Sequence, residues 1–344
     1  MLNCLLITHM LAYAPPEPAD LYATICNQFA SSRRGYFKES IGQGSNENTI
    51  MYNWGLGVVL SAENALAELD PTRIPSLKKT VAMAETYWNP TGPVAGFDVN
   101  PGPPYPNDRY YDDNAWMVMA FVETYELTKD PHHLKLAEDS LKHCLSGLDD
   151  KLGGGIYWKE TEKSSKNTCS NGPTAAACLA LYKHKKDPKL LQTAEEIYAW
   201  TKKTLQDPES KLYWDNINLN GKIDKTTWSY NSALMLRSAR ELAIHTGNVE
   251  YKTDFAELQS ASIKKWLKPN GIIDDEVQFA HLLFENLDPN AFDYKKSIDT
   301  LIASKDKNGL FGKRWGSPAG ETSQMIHQAS AVRAIAIAKL WSKK

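Results

Sequence analysis

Hydrophobic residues recur along most of this chain at spacings of three and four positions, the period of an α-helix. Glycines, prolines and capping residues interrupt the pattern and divide it into segments of helix length. It predicts twelve helices, at residues 18–31, 47–69, 73–88, 114–129, 131–147, 172–184, 187–205, 229–246, 248–267, 276–286, 290–304 and 321–342. The fold class is therefore expected to be all-α.

Two kinds of connection join these helices. Many are short turns with Asp-Pro or Gly-Asn, and because proline starts a helix but cannot continue one, they indicate helix hairpins. The others are longer loops, in which a turn residue precedes aromatic or β-branched residues, at 35–37, 96–97, 155–158, 212–214, 271–273 and 309–311. Six hairpins with all long loops on one side predict an (α/α)6 barrel with short β-hairpin-like loops on one rim.

The barrel is expected to be a single domain over residues 18–344, with residues 1–17 as an N-terminal extension. This extension contains an apolar run that ends in Ala12-Tyr13-Ala14, the form of a signal cleavage site. No basic residue precedes the run and Pro15 follows it, so a signal remnant and a first buried helix turn both remain open. No apolar stretch reaches the roughly 18 residues that span a bilayer, so no membrane span is expected.

Composition excludes several function classes. The formal net charge is −2 and basic residues do not cluster, which argues against a nucleic-acid partner. The five cysteines lie far apart and the eight histidines form no HExxH, so we expect no metal site built from protein ligands alone. The segment 215–224 is similar to a calcium loop, but the twelfth position counted from Asn216 is Thr227 instead of glutamate. Its Asn-Gly is better interpreted as a turn between two short strands.

The predicted heads of the inner helices would collect on the rim that carries the long loops, where function is usually found. They are rich in Asn, Tyr, Trp, Asp and Ser, and the chain has ten tryptophans. Amides and carboxylates match the hydrogen bonds of sugar hydroxyls, and aromatic faces pack against the apolar side of a sugar ring. The rim is therefore expected to form a carbohydrate cleft.

The segment YYDDNAW at 110–116 places Asp112 next to Asp113 at the start of a predicted helix. One interpretation is helix capping, which aspartate favours and which needs only one carboxylate. The other is catalysis, because neighbouring carboxylates titrate unequally and glycoside hydrolysis needs one acid and one carboxylate. A second acidic group, Asp274, Asp275 and Glu276, has no aromatic neighbours and fits the first turn of a helix better.

Three segments taken together resemble glycoside hydrolase family 76: PNDRYYDDNAWMVMAFVETYELTKD, GGGIYWKE followed by KNTCSNGPTAAACLALY, and NGKIDKTTWSYNSALMLRSARELAIHTGN. The resemblance runs from about residue 47 to 335. It implies an (α/α)6 barrel and a retaining endo-α-1,6-mannanase without a cofactor, with Asp112 as nucleophile and Asp113 as general acid/base. The substrate would be α-mannan, bound by residues of the rim motifs: Trp54, Tyr111, Asn114, Trp158, Asn167, Asn171, Tyr230, Asn231 and Trp315.

Other functions remain open on the same residues. A transglycosidase or a hydrolase for another polysaccharide would use the same fold, although uronide substrates favour basic cleft residues and only Arg109 and Arg314 lie near rim motifs. A non-catalytic glycan-binding protein and an all-helical interaction scaffold are the alternatives outside catalysis. We expect a monomer that is secreted or held in the cell envelope or periplasm, with a cytoplasmic location also open.

Overall fold

The computed structural model describes residues 17–343, and the predictions for residues 1–16 lie outside this range. The twelve predicted helices are confirmed. They are α1 (Pro18–Phe29), α2 (Asn53–Leu69), α3 (Ile74–Glu85), α4 (Tyr111–Thr128), α5 (Pro131–Leu145), α6 (Thr168–Lys185), α7 (Pro188–Leu205), α8 (Ser229–Thr246), α9 (Val249–Trp266), α10 (Val277–Asn286), α11 (Tyr294–Ala303) and α12 (Met325–Trp341). Over residues 17–343, none of the helices has the length and apolar character needed to cross a membrane.

The even-numbered helices form the inner ring. Each of α2, α4, α6, α8, α10 and α12 packs against the next, and α12 closes the ring on α2. Helices α3, α5, α7 and α9 pack outside the inner helix that precedes them, while α1 and α11 both pack on α12. The inner helices bury apolar side chains on nearly all sides, as expected for helices surrounded by others. This arrangement is the predicted (α/α)6 barrel.

Over residues 17–343, seven short strands lie in the loops that precede the inner helices. They are β1 (Ser40–Gly42), β2 (Trp88–Asn89), β3 (Gly96–Phe97), β4 (Ser165–Asn167), β5 (Asn216–Asn218), β6 (Ile223–Asp224) and β7 (Thr322–Gln324). All pairings are antiparallel: β1 with β7, β2 with β3, and β5 with both β4 and β6. The predicted Asn-Gly turn joins β5 to β6, and Gly221 adopts the left-handed conformation there, with a φ of 84°.

Several inner helices begin at residues other than those predicted. Helix α4 begins at Tyr111 instead of 114, and α6 at Thr168 instead of 172, so that Pro173 lies inside the helix and not at its start. Helix α12 begins at Met325 instead of 321 because residues 322–324 pair with β1. The start of α2 also moves, from 47 to Asn53. Pairing with distant loops decides these boundaries, and the helical period alone does not contain that information.

The outer and inner helices are capped differently. At the short turns, Asp130, Asp187 and Asn248 accept hydrogen bonds from the backbone N–H groups that begin α5, α7 and α9, and Asp293 does the same for α11. These are ordinary side-chain N-caps. None of the residues that precede the six inner helices makes such a side-chain hydrogen bond. The inner helices must therefore satisfy their first N–H groups in another way.

They do so through the loop that precedes the next inner helix around the ring. Each inner helix donates the N–H of its first residue to that loop: Asn53 to the Val99 carbonyl, Tyr111 to Trp158, Thr168 to Asp215, Ser229 to the Asp275 carboxylate, Val277 to the Lys313 carbonyl and Met325 to Glu39. The six bonds form a closed cycle, with one carboxylate in place of a carbonyl. The cycle holds all six loops in place around one rim.

Candidate active site

A cleft of about 900 Å³ opens at the rim where the inner helices begin. Its lining comes from the loops that precede the inner helices and from the first turns of α2, α4, α6, α8 and α10. This volume lies within the range of about 300–1,000 Å³ that small-molecule sites occupy. The cleft is the place at which the predicted rim residues could act together.

Asp112 and Asp113 both line the cleft, in the first turn of α4. The residue at the capping position is Tyr110, and neither aspartate caps the helix. The first N–H of the helix, that of Tyr111, donates to the Trp158 carbonyl at 2.9 Å. The capping interpretation therefore fails, and the two carboxylates are left for another role.

The surroundings of the two carboxylates differ. The indole N–H of Trp158 donates to Asp112 Oδ2 at 3.2 Å, and the Cys169 thiol lies beside the same carboxylate. Burial raises the pKa of Asp112 to about 6, although these donors favour the ionised form. Burial raises the pKa of Asp113 well above its usual range, and repulsion by Asp112 adds to this. Donors that favour the ionised form surround Asp112, whereas burial and repulsion both oppose ionisation of Asp113, so Asp112 is the more easily ionised member of the pair.

Aromatic side chains form two clusters along the cleft. Phe279 of α10 stacks on Tyr230 of α8, with 4.5 Å between ring centroids, and on Trp54 of α2 at 5.8 Å. Trp228 joins them at 5.4 Å from Phe279. Beside Asp112, the Trp158 ring packs edge-on against Tyr110 at 5.1 Å. Flat apolar surfaces of this kind suit the hydrogen-bearing face of a sugar ring.

Four of the nine predicted substrate-binding residues line the cleft: Trp54, Trp158, Asn167 and Tyr230. Asn167 is the residue that precedes α6, and it accepts a hydrogen bond from the Ser165 hydroxyl at 2.7 Å. The structure brings these four residues together with the aspartate pair, as the sequence interpretation requires.

Asn114 and Asn171 are fully buried and do not line the cleft, so the prediction that they contact substrate is corrected. The Asn114 side chain bonds both the N–H and the carbonyl of Phe97, at 2.7 and 3.0 Å. Asn171 bonds Ile156 in the same way, at 2.8 and 3.0 Å. Each amide fastens the loop beside it, because a buried backbone group needs a hydrogen-bond partner. Gln328 holds Phe311 similarly.

Tyr111, Asn231 and Trp315 also lie outside the cleft lining, which corrects the same prediction for them. Tyr111 is buried and stacks on His143 at 5.2 Å. Trp315 lies in the core, where it stacks on Phe284 and donates its indole N–H to the Ser297 carbonyl. These two rings are packing residues, because tertiary contacts remove both faces from solvent.

Asn231 is buried, and its side chain contacts a carboxylate of the cleft, that of Asp215. Its amide lies 3.4 Å from Oδ1 of Asp215, and the Asn216 amide donates to Oδ2 at 2.8 Å. Asp215 itself lines the cleft, and burial raises its pKa. The sequence interpretation missed this carboxylate because it lies in the segment that resembles a calcium loop. It also missed Phe279, whose spacing in the helix is that of an ordinary core residue.

The second acidic group is used for structure. The Asp275 carboxylate accepts a hydrogen bond from the backbone N–H of Ser229, the first residue of α8, at 2.8 Å. It accepts another from the backbone N–H of Glu276 at 2.8 Å. Asp274 pairs with Lys268 and Arg314, at 3.0 and 2.8 Å, and these cations lower its pKa. Neither aspartate lines the cleft. No set of His, Cys, Asp and Glu side chains in residues 17–343 is placed to hold a metal ion.

A buried lysine fixes the loop that carries Trp158. Lys166 is fully buried, and its ammonium donates to the Asp149 carboxylate at 2.5 Å and to the carbonyls of Asp149, Lys151 and Gly154 at 2.6–3.1 Å. Lys166 also forms a backbone bridge with Tyr157, the residue before Trp158. The position of the indole beside Asp112 therefore depends on a charge at the base of its loop.

Known proteins give independent information on this geometry. The pattern of glycosyl hydrolase family 76 matches residues 51–295. A family 76 α-mannanase of Bacteroides thetaiotaomicron has the same fold, with a TM-score of 0.88 at 24% identity over 95% of this chain and 96% of that one. The GH76A α-1,6-mannanase of Salegentibacter sp. HEL1_6 is 26% identical, with a TM-score of 0.80 over 94% of this chain and 98% of that one.

That enzyme is also known as an inactive variant, with two adjacent aspartates replaced by asparagine, in complex with α-1,6-mannotriose. A curated relative, the mannan endo-1,6-α-mannosidase DCW1 of Saccharomyces cerevisiae, is 27% identical over 167 residues. This match covers 44% of the present chain and 37% of the yeast protein. Because the family pattern covers most of the chain and the fold agrees with it, the protein belongs to glycosyl hydrolase family 76.

Proposed function

We propose that this protein is a retaining endo-α-1,6-mannanase in which Asp112 is the nucleophile and Asp113 the general acid/base. The observation that carries the proposal is the pair of adjacent carboxylates on the floor of an aromatic cleft, with unequal surroundings and raised pKa values. Such a pair offers one ionised and one protonated carboxyl group at the same pH, as retaining glycoside hydrolysis requires.

The first step breaks the glycosidic bond. Ionised Asp112 attacks the anomeric carbon, and Asp113 gives its proton to the departing glycosidic oxygen, so a mannosyl ester forms on Asp112. The indole N–H of Trp158 donates to Oδ2 of Asp112 and so holds the attacking carboxylate in one orientation. Because protonated Asp113 carries no charge in the free site, it does not compete with Asp112 for the developing positive charge of the sugar.

The second step releases the sugar. Asp113, now ionised, takes a proton from water, and the water oxygen attacks the anomeric carbon and displaces Asp112. Two inversions give net retention of configuration, and both carboxyl groups return to their starting protonation states. The reaction consumes one water molecule and leaves both aspartates free for the next glycosidic bond.

The remaining cleft residues are proposed to bind the chain on either side of the reacting bond. Trp54, Tyr230 and Trp158 offer ring faces, and the amides of Asn167 and Asn216 offer hydrogen bonds to hydroxyl groups. The choice of the α-1,6 linkage is supported by the Salegentibacter enzyme, which is 26% identical and whose inactive variant lacks two adjacent aspartates. We further propose that the protein is secreted or held in the cell envelope, where it meets mannan.

Digestion of α-1,6-mannohexaose, followed by chromatography of the products, tests this function. We expect several shorter oligosaccharides to appear together, and at least about 10³-fold slower product formation by the Asp112→Asn and Asp113→Asn variants. Asp274→Asn is the matched control, because it makes the same chemical change at an aspartate that pairs with Lys268 and Arg314 away from the cleft. This control is expected to cleave at the rate of the unmodified protein.

Other outcomes distinguish the alternatives. Release of mannose alone, one unit at a time, would contradict endo-action. Products longer than the substrate would indicate transfer to sugar acceptors in place of hydrolysis. If folded protein leaves the oligosaccharide intact and does not bind it, the mannanase proposal is wrong.

A further inference from the structure

The cleft has an unusual charge composition. Five carboxylates line it: Asp108, Asp112, Asp113, Glu162 and Asp215. Among the lining residues from the described part of the chain there is no lysine, arginine or histidine. Hydrolysis by the proposed mechanism needs two of these carboxylates, so the other three affect which substrates can enter.

Two basic side chains next to the cleft, Lys159 and Arg109, are already engaged in ion pairs. Lys159 pairs with Asp108 at 2.7 Å and also donates to the Tyr110 hydroxyl at 3.0 Å. The Arg109 side chain is almost completely buried, where it pairs with Glu160 at 2.8 Å and donates to the Thr91 carbonyl. Neither cation is free to bind an anionic group of a ligand.

The starts of the inner helices also offer fewer free N–H groups to an anion than usual. Helix N-termini usually attract anions because their first N–H groups are free. Here the first N–H of every inner helix donates to the neighbouring rim loop or, at Ser229, to the Asp275 carboxylate. An anionic substituent in the cleft would therefore lose its hydration without gaining a charged partner, and would lie among carboxylates of the same sign.

The three carboxylates outside the catalytic pair differ in how they are compensated. Asp108 is neutralised by Lys159, and Asp215 accepts hydrogen bonds only from the amides of Asn216 and Asn231. Glu162 is exposed at the rim and forms no ion pair with any residue in 17–343. Glu162 and Asp215 thus contribute uncompensated negative charge, Glu162 at the entrance and Asp215 deeper in the cleft.

We propose that the cleft selects glycans by charge. It accepts uncharged stretches of mannan, tolerates a sugar in which an ammonium group replaces a hydroxyl, and excludes chains that carry phosphate or a uronic acid. Glu162 is the main specificity-determining residue at the entrance, and Asp108 contributes by keeping the Lys159 ammonium occupied. This inference rests on the proposed mannanase function and names the substrate class for the same site.

Three α-1,6-mannohexaoses of equal length provide the test: one unmodified, one with a phosphate monoester on its terminal residue, and one with an amino group at that position. We expect kcat/KM at low salt to be at least about tenfold lower for the phosphorylated probe than for the unmodified one, and not reduced for the amino probe. At about 1 M salt, where the screening length is about 3 Å, the difference should shrink several-fold.

Variants of the cleft distinguish exclusion of the phosphorylated probe by charge from exclusion by shape. Glu162→Gln and Asp108→Asn should each improve cleavage of the phosphorylated probe several-fold relative to the unmodified one, the second because it frees Lys159. Glu250→Gln is the control, because Glu250 is an exposed glutamate in the first turn of α9, next to the short turn that follows α8. Equal cleavage of all three probes at low salt would overturn the proposal. Discrimination that neither salt nor the variants change would overturn it too, because exclusion would then be steric.

Failure of the mannanase proposal gives a different result. In that case the unmodified probe is not cleaved, and binding of the three probes is measured by calorimetry instead. The charge proposal then predicts that the phosphorylated probe binds most weakly and that Glu162→Gln narrows the gap. Equal binding of the three probes contradicts charge selection, whichever reaction the site performs.

Discussion

The two mouths of the barrel are formed by opposite ends of the same inner helices, and they differ in whether a cation accompanies their central carboxylates. At the mouth where the inner helices begin, Asp112 and Asp113 have no cationic partner among residues 17–343. At the other mouth, a cavity of about 390 Å³ is lined by later turns of α2, α4, α6, α8 and α12. There, the Arg333 guanidinium donates to both oxygens of Glu123, each at 3.0 Å, and to Glu285 at 2.9 Å.

The pKa directions follow this difference. Burial alone would raise the pKa of Glu285, but Arg333, His281 and Arg237 together lower it. At the cleft, burial and mutual repulsion raise the pKa values of the aspartate pair. A buried carboxylate with a matched cation, or with two backbone donors as Asp275 has, serves the stability of the fold, whereas one with neither costs stability and is a candidate for chemistry. Burial alone therefore does not identify the functional end of this barrel.

The largest expected effect comes from the unpaired carboxylates. Asp112→Asn and Asp113→Asn should each lower kcat by about 10³-fold or more, because one removes the nucleophile and the other the proton donor. Neither should lower the melting temperature, because each removes a buried carboxylate that lacks a cation. Steady-state kinetics with thermal unfolding of the same samples measures both quantities. A clear loss of stability in both variants would contradict the comparison.

The stability difference between Asp112→Asn and the unmodified protein should depend on pH. The pKa of Asp112 is about 6 in the folded protein against the ordinary value of 3.8, so the folded state binds more protons between these values. The free energy of unfolding of the unmodified protein should therefore fall, relative to the variant, as pH rises through this window. A difference that stays constant from pH 4 to 7 would show that burial does not perturb this carboxylate.

At the opposite mouth, Arg333→Met should lower the free energy of unfolding by about 3–5 kcal/mol, because it leaves the nearly buried Glu285 and the partly exposed Glu123 without their cation. The protein that remains folded should keep its activity. Arg237→Met is the control: Arg237 is partly exposed and only 4.0 Å from Glu123, so less than about 1 kcal/mol is expected. Urea denaturation measures both variants, and an equal loss in the two would contradict the assignment.

The pH dependence of kcat/KM provides a smaller and more specific test. Activity should rise with pH through about 6 as Asp112 ionises, and fall at higher pH as Asp113 loses the proton it donates. Asp113→Asn removes the proton donor, so its residual activity should lose the alkaline fall and keep the acidic rise. A profile in which the variant loses the acidic rise instead would exchange the two roles.

The smallest effect is expected from Trp158→Phe. This change removes the indole N–H that donates to Asp112 and favours its ionised form, but keeps an aromatic ring. The acidic limb of the kcat/KM profile should move to higher pH by less than about 1 unit. Trp214→Phe is a suitable control, since Trp214 lies outside the cleft lining. An acidic limb that stays in place would mean that the hydrogen bond has no effect on Asp112.

Local patterns in the sequence predict the fold and the place of the aspartate pair on the rim. The helical period and the Asp-Pro turns predict all twelve helices, and the turn residues predict the hairpin of β5 and β6. The cycle of hydrogen bonds between inner helices and rim loops joins residues far apart in the chain, such as Met325 and Glu39. A local sequence pattern contains no information about such a contact. The predicted starts of α2, α4, α6 and α12 therefore differ from those in the structure.

The individual cleft residues were harder to predict, for a chemical reason. An amide that fastens a loop and an amide that lines the cleft have the same composition and a similar place near the start of a helix, as Asn171 and Asn167 demonstrate. A tryptophan in the core and one on the cleft surface differ only in what packs on them, as Trp315 and Trp158 do. Asp215 and Phe279 enter the cleft through tertiary packing, and no motif marks them.

The central claim is that Asp112 and Asp113 together perform a double displacement at an α-mannosidic bond. Proton NMR of the anomeric signals during cleavage of α-1,6-mannohexaose tests it most directly, because the first product formed reports the stereochemistry before mutarotation. The account predicts that α-anomer appears first and that the Asp112→Asn and Asp113→Asn variants form no detectable product in the time of this measurement. Immediate appearance of β-anomer would contradict it, since inversion would require water and not Asp112 to attack the sugar.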